Sequence, residues 1–279
     1  MVDEGTAGVG AASVHWRRIG RGPTVVLLHG FPLSGHTWDA VVAQLRDRFT
    51  CIMPDLIGLG RSSSGADGDY ASEGQARAFQ GLLSQLGVDT YALVGNDTGG
   101  WIARELALAD AGRVSRLVLT NTEIPFHRPP WIPTYQLAAR LPGFGTVVRQ
   151  LLQLDVFRRS PLGFGGCFHD LALLNGPFHE RYVEPLIRSA ERMAEAQRFL
   201  RRMDFSRLDE FAGLHRRLAM PTLFVWGDED PTFPVDRARA MAGQFPAVAG
   251  FREVAAARLF VHEEHPDTVA TMVGGFLAE

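Results

Sequence analysis

Apolar residues in the first 121 positions fall into short runs separated by stretches of helical spacing. Thr24-Val25-Val26-Leu27-Leu28 and Thr50-Cys51-Ile52-Met53-Pro54 are apolar without alternation, as expected for strands covered on both faces. Val14 to Ile19 predicts an edge strand. Tyr91 to Gly95 and Val114 to Thr120 predict two more. Between them, Trp38 to Leu45, Gln75 to Leu86 and Gly99 to Leu108 carry apolar residues at helical spacing, with Gly87 stopping the second. Such alternation predicts an α/β fold, a mostly parallel twisted sheet with helices on both faces.

The pattern breaks at Glu123. A proline-rich stretch, Pro125 to Pro133, leads into helical spacing around Tyr135 to Leu141, Thr146 to Leu154 and Glu184 to Leu200. An excursion of this length between two strands of one sheet is an inserted helical cap. Strand character returns at Thr222 to Trp226, then at Phe251 to Phe260, and His265 to Leu277 predicts a closing helix. The expected division is a core of residues 1–122 and 215–279 with a helical cap of residues 123–214. Repeats and low-complexity segments are absent from the sequence.

A length of 279 residues with 46% hydrophobic content fits one full core plus an insertion and excludes a disordered chain. The net charge of −3 gives no reason to expect nucleic acid or an anionic membrane as partner. The Arg201-Arg202 and Arg216-Arg217 pairs read as solvated helix faces. Two cysteines far apart, Cys51 and Cys167, fit a reducing cytoplasm. The N-terminus lacks a secretory pattern, and no run reaches the length of a membrane span. The expected partner is a small hydrophobic substrate or ligand, with a homodimer left open. No cofactor and no metal are expected, because neither a metal motif nor a nucleotide fingerprint is present, and Gly58-x-Gly60 is too short to count.

Chemistry concentrates at four places. The strand at Tyr91 runs into Gly95-Asn96-Asp97-Thr98-Gly99, a strand-to-helix turn that pushes the Asp97 side chain into the open. Upstream, His29-Gly30-Phe31-Pro32 can aim the Phe31 amide at the same space, and the Thr98 amide points there too, so the two make an oxyanion hole. Asp230, in Trp226-Gly227-Asp228-Glu229-Asp230, comes after a later strand, where an acid would orient a histidine. A carboxylate nucleophile suits attack at an sp³ carbon, displacing halide or opening an epoxide through an ester. The pocket is expected to include His29, Pro32, Trp101, Trp131 and Tyr135, with Phe164, Phe168, Leu171, Phe178 and Phe199 adding apolar bulk from the cap.

On these motifs the chain resembles the α/β-hydrolase superfamily over nearly its whole length. The elbow aspartate is similar to that of the epoxide hydrolase and haloalkane dehalogenase branch. The resemblance implies a histidine base in the last motif, which here reads Arg258-Leu259-Phe260-Val261-His262-Glu263-Glu264-His265-Pro266. Phe260, Glu264 and Pro266 match, and Leu259 falls on the histidine. Thr98 stands where dehalogenases commonly place a tryptophan, and Phe31 where they often carry asparagine. The resemblance also implies cap tyrosines, for which Tyr135 is the match, and a competing acid at Glu123 after the strand ending at Asn121.

Without the imidazole, Asp97 can form an ester but leucine cannot activate the water that would hydrolyse it. Three readings stay open. A substitute base acts, with His262, His265 or His127 as candidates. Alternatively, Asp97 and Asp230 serve as an acid/base pair for an isomerisation, elimination or cyclisation, one of them with a raised pKa. In the third, the site binds a small molecule without turnover. Leu259 is expected between Asp97 and Asp230, and Asp97 in a sparsely populated backbone region.

Overall fold

Alternate residues of each central strand pack on opposite faces of one sheet. In the computed structural model, which describes residues 2–65 and 68–279, this holds for five neighbouring strands. Met1, Ala66 and Asp67, which fall within the expected core, lie outside the described residues. Val25 and Leu27 of β3 (Thr24–Leu28) face one hydrophobic cluster, and Val26 and Leu28 the other. Cys51 and Met53 of β4 (Thr50–Pro54) divide from Ile52 in the same way. So do Ala92 and Val94 from Leu93 in β5 (Tyr91–Asn96), Val118 from Leu117 and Leu119 in β6 (Val114–Thr120), and Val225 from Phe224 and Trp226 in β7 (Thr222–Gly227). Burial on both faces is why these segments read as continuous apolar runs.

Among the described residues the sheet has eight strands. Two further ones, β1 (Val2–Val9) and β2 (Ala12–Gly20), form a hairpin at one edge, and β8 (Val248–Val254) closes the other. The order is β1-β2-β4-β3-β5-β6-β7-β8, antiparallel at β1–β2 and β2–β4 and parallel elsewhere. The strand expected at Val14 to Ile19 is therefore not the edge, because β1 covers it. Val2-Asp3-Glu4-Gly5-Thr6-Ala7-Gly8-Val9 offers little apolar signal and is held by register, Val2 opposite Ile19 through Val9 opposite Ala12. The last strand also differs from expectation. It ends at Val254, and residues 255–260 form a turn.

Helices α1 (Asp39–Leu45) and α12 (Pro266–Leu277) cover one face; α2 (Ser72–Gln85), α3 (Thr98–Ala109) and α10 (Val235–Ala242) cover the other. A short helix, α11 (Val261–Glu264), precedes α12. Between β6 and β7 the chain is helical: α4 (Trp131–Ala138), α5 (Phe144–Leu151), α6 (Asp155–Arg158), α7 (Glu184–Arg188), α8 (Ala190–Arg202) and α9 (Phe205–Leu214). The helix expected over Glu184 to Leu200 breaks at Ser189, whose hydroxyl accepts from the Arg192 amide and so starts a new helix. No described helix is long and apolar enough to cross a membrane.

The β5–α3 turn packs without room for side chains. A methyl group on Gly99 would lie 2.4 Å from the carbonyl oxygens of both Leu28 and His29. Gly99→Ala is therefore expected to destabilise the fold by about 1–3 kcal/mol. Gly112→Ala meets nothing within 4 Å, and is expected to change stability by no more than about 0.5 kcal/mol. Denaturant midpoints of the two variants check this.

Candidate active site

Asp97 sits between β5 and α3 with φ 49° and ψ −134°. A non-glycine residue held there stores about 1–3 kcal/mol of strain. Its backbone is pinned on three sides. Its amide donates to the Asn121 carbonyl at 2.9 Å, and its carbonyl accepts from the Gly100 amide and the Thr122 hydroxyl, both at 2.8 Å. The Phe31 amide donates to Asp97 Oδ2 at 2.8 Å, and the Thr98 amide also bonds the carboxylate. Gly30 permits that approach, since a methyl group there would lie 2.5 Å from Asp97 Cβ. Phe31, Thr98 and Asp97 thus converge at one point, in the wall of a cavity of about 500 Å³ between the sheet and the helical insertion.

Two more carboxyl groups lie in the same interior. Asp230 comes after β7 and is 4% exposed. It accepts from Asn121 Nδ2 and from the Thr232 amide, each at 2.8 Å. Burial pushes its pKa up to about 7, partly countered by these donors. Glu123 comes after β6, is 2% exposed and lines the cavity. Thr98 Oγ1 donates to its Oε1 at 2.9 Å. Burial raises the Glu123 carboxyl above its usual range, and it raises Asp97 well above, with the Glu123 charge adding to the Asp97 shift.

Leu259 is 5% exposed and shares the cavity wall with Asp97. Asn96 Nδ2 donates to its carbonyl at 2.9 Å, which fixes the turn that carries it. No ring nitrogen among the described residues stands in for the absent imidazole. His262 is buried outside the cavity, stacked on Trp38 with centroids 4.2 Å apart and hydrogen-bonded to Thr37 at 2.7 Å. Burial holds its pKa down to about 3. His265 bonds the Ala256 carbonyl at 3.1 Å, and His127 the Thr232 carbonyl at 2.8 Å. None of the three lines the cavity.

Pro32, Trp131 and Tyr135 line the cavity. The Tyr135 hydroxyl donates to the Leu162 carbonyl. Two expected lining residues do not line it. His29 is buried behind the loop, with Nε2 accepting from the Leu56 amide at 2.8 Å, so it holds the loop in place. Trp101 turns away into a separate cluster with Leu208 and Phe211. From the insertion, Phe164 reaches the cavity. Phe168 and Phe178 pack on Phe260, Phe199 stacks behind Phe31, and Leu171 lies against that core.

Two residues escaped the sequence reading. Cys167 lies in the cavity wall, and burial with the charges of Asp97 and Asp230 raises its thiol pKa, keeping it neutral. Arg104 is fully buried on α3. Its Nη2 donates to the Glu123 carbonyl at 2.8 Å and its Nη1 meets His215 Nε2 at 3.1 Å. The signal was available: an arginine in the apolar stretch Trp101-Ile102-Ala103-Arg104-Glu105-Leu106 needs a reason to be there.

The raised pKa of Asp230 has a measurable sign. A carboxyl that holds its proton more tightly when folded contributes stability below its unfolded pKa near 4. That contribution is lost as pH rises through about 7. The neutral buried His29, His215 and His262 act in the opposite sense below about pH 6.5. Comparing wild type with Asp230→Asn at each pH cancels the histidines. From pH 5 to 8 the variant is expected to gain on wild type in denaturant titrations. A constant difference would mean that Asp230 stays charged in the fold.

A profile of the alpha/beta hydrolase fold matches residues 23–266. Haloalkane dehalogenase 2 of Mycobacterium tuberculosis is 27% identical over 266 residues, covering 93% of this chain and 90% of the relative. A cis-3-alkyl-4-alkyloxetan-2-one decarboxylase of Xanthomonas campestris is 38% identical over 122 residues, 39% of this chain and 41% of the relative. Among solved structures, the epoxide hydrolase CorEH superposes with a TM-score of 0.84 at 23% identity, covering 100% of this chain and 99% of that one. With the sheet order, the strained elbow and a profile match over most of its length, the chain belongs to the alpha/beta hydrolase fold family.

Proposed function

We propose that the protein is an enzyme acting on a small hydrophobic molecule, with Asp97 as nucleophile and the Phe31 and Thr98 amides as oxyanion hole. The observation that carries this reading is the Phe31 amide set 2.8 Å from the carboxylate at the floor of an apolar cavity. In the first step Asp97 attacks an sp³ carbon and becomes an ester as the carbon–halogen bond breaks and halide leaves, or as an epoxide C–O bond opens to a hydroxyl. In the second, water attacks the ester carbonyl, and the two amides hold the oxygen as it gains charge. Residues 123–214 act as the cap that excludes water from this cavity, and residues 1–122 and 215–279 as the core. The reaction is epoxide-hydrolase-like or dehalogenase-like, in keeping with the names of the relatives. We place the protein in the cytoplasm, consistent with its two free cysteines.

Leu259 supports a second reading, in which the enzyme is not hydrolytic. Buried carboxyls facing a leucine are suited to passing a proton within a bound molecule. Similarity over 122 residues to a cis-3-alkyl-4-alkyloxetan-2-one decarboxylase is in keeping with a reaction other than hydrolysis. A third reading, ligand binding without turnover, predicts that wild type and Asp97→Asn behave alike in every assay on a panel of apolar substrates.

Intact-mass analysis after exposure to styrene oxide and to 1-bromohexane separates the readings. A covalent adduct that disappears in Asp97→Asn is expected. Leu259→His supplies an imidazole beside the ester and is expected to raise epoxide turnover by on the order of 10²-fold, the low end for a positioned base. Turnover unchanged in Leu259→His would mean that ester breakdown does not wait on that base.

A further inference from the structure

We infer that the substrate is an apolar molecule ending in a carboxylate, and that Arg258 holds that end. The inference rests on the cavity being where the proposed function places the substrate, and it narrows the class of molecule.

Arg258 is the only basic residue in the cavity wall among the described residues. It directly precedes Leu259 in the turn of residues 255–260. That turn is tied down at both positions: the Arg258 amide donates to Glu264 Oε2 at 2.7 Å, and Asn96 Nδ2 donates to the Leu259 carbonyl at 2.9 Å. The side chain is therefore mounted on fixed backbone. Its guanidinium is permanently charged and carries five N–H donors. One of them, on Nη1, goes to the Gly165 carbonyl at 3.0 Å. Nε is buried without an acceptor among the described residues.

The carboxyl groups beside Arg258 are engaged otherwise. Glu264 accepts from the Arg258 and His169 amides, at 2.7 and 2.6 Å, and Glu229 in the cavity wall meets His169 Nδ1 at 2.7 Å. Among the described residues no carboxylate forms an ion pair with the half-buried guanidinium. A charge drawn partly out of water needs a partner. The other polar side chains of the wall spend their hydrogens within the chain. Thr98 donates to Glu123 at 2.9 Å, Tyr135 to the Leu162 carbonyl, and Gln197 Nε2 to the Ala139 carbonyl at 2.6 Å. Were Arg258 there only to clasp Gly165 of the helical insertion, a neutral amide would serve, because the acceptor is a neutral carbonyl. A planar carboxylate is the acceptor that suits a guanidinium best, through two parallel hydrogen bonds.

Charge also sets how the molecule lies. The charges of Asp97 and Arg258 both bear on the Cys167 thiol, so the two residues face one interior. The acidic pair Asp97 and Glu123 repels an anionic end, and Arg258 attracts it. The substrate carboxylate therefore lies at Arg258, and the carbon to be attacked lies at Asp97. Leu259 and Phe164, in the same wall, offer apolar contact to the chain between.

Calorimetric titration of the full chain with octanoate and octanamide, at about pH 7 where the acid is ionised, tests the inference without calling on the nucleophile. The two probes share their length and differ in charge. Wild type is expected to bind octanoate about 10-fold or more tightly than octanamide, as a hydrogen bond to a charged group implies. Arg258→Gln should weaken octanoate by a similar factor and leave octanamide unchanged, which also reports that the variant is folded. Arg258→Lys, which keeps the charge and loses the paired donors, should retain part of the preference. Equal affinities for the two probes in wild type, binding of neither, or equal loss of both in Arg258→Gln would overturn the inference. Intact-mass analysis with 8-bromooctanoate reports the nucleophile separately: an Asp97 oxygen bonds the terminal carbon as the carbon–bromine bond breaks and bromide leaves. Octanoate binding that depends on Arg258, with no adduct on Asp97, would overturn the nucleophile and uphold the carboxylate anchor.

Discussion

Too many acids meet in this interior for too few cations. Asp97, Glu123 and Asp230 are all nearly inaccessible, and Arg104 is the one fully buried guanidinium among the described residues. Isolated carboxylates in such surroundings cost several kcal/mol each. The fold answers with hydroxyls and amides instead of counter-ions: Thr98 and Thr122 on Glu123, Phe31 on Asp97, Asn121 and Thr232 on Asp230. Those donors come from the ends of β3, β5, β6 and β7, all on the carboxyl side of one parallel sheet, so the strand order and the protonation states are set by the same constraint.

That constraint also shapes what the elbow can tolerate. Gly30 and Gly99 are required by close approach of backbone and of the Asp97 side chain, and Asp97 adopts a left-handed φ because its neighbours leave it no alternative. The strain is spread over hydrogen bonds to Asn121, Gly100 and Thr122. A turn built this way holds the Asp97 carboxyl in one place.

The central strands and the elbow were legible because a doubly covered strand and a glycine-flanked turn leave local signatures: Val25 to Leu28, Leu93 to Val94 and Gly95-Asn96-Asp97-Thr98-Gly99 are informative without any knowledge of their neighbours. What failed was knowledge of which side of a wall a residue faces. Trp101 and His29 are one or a few residues from the cavity yet turn away from it, and only the packing of α3 and the Leu56 amide decides that. Edge strand β1 was missed since its pairing with β2, not its composition, holds it. Arg104 was missed because its partners, Glu123 and His215, are far along the chain.

Asn121 stands just past the end of β6, where the chain leaves the sheet for the helical insertion, and its side chain reaches across to the far end of that excursion. Its side-chain oxygen accepts from the Gly227 amide and its nitrogen donates to Asp230, both at 2.8 Å. The strand that precedes the inserted segment and the strand that resumes after it are thereby riveted to each other through one amide side chain. The position of the Asp230 carboxyl is therefore fixed by the sheet and not by the helices that come between. The wall of the cavity and the placement of its carboxyl groups are thus two separate matters in this chain, joined at a single asparagine.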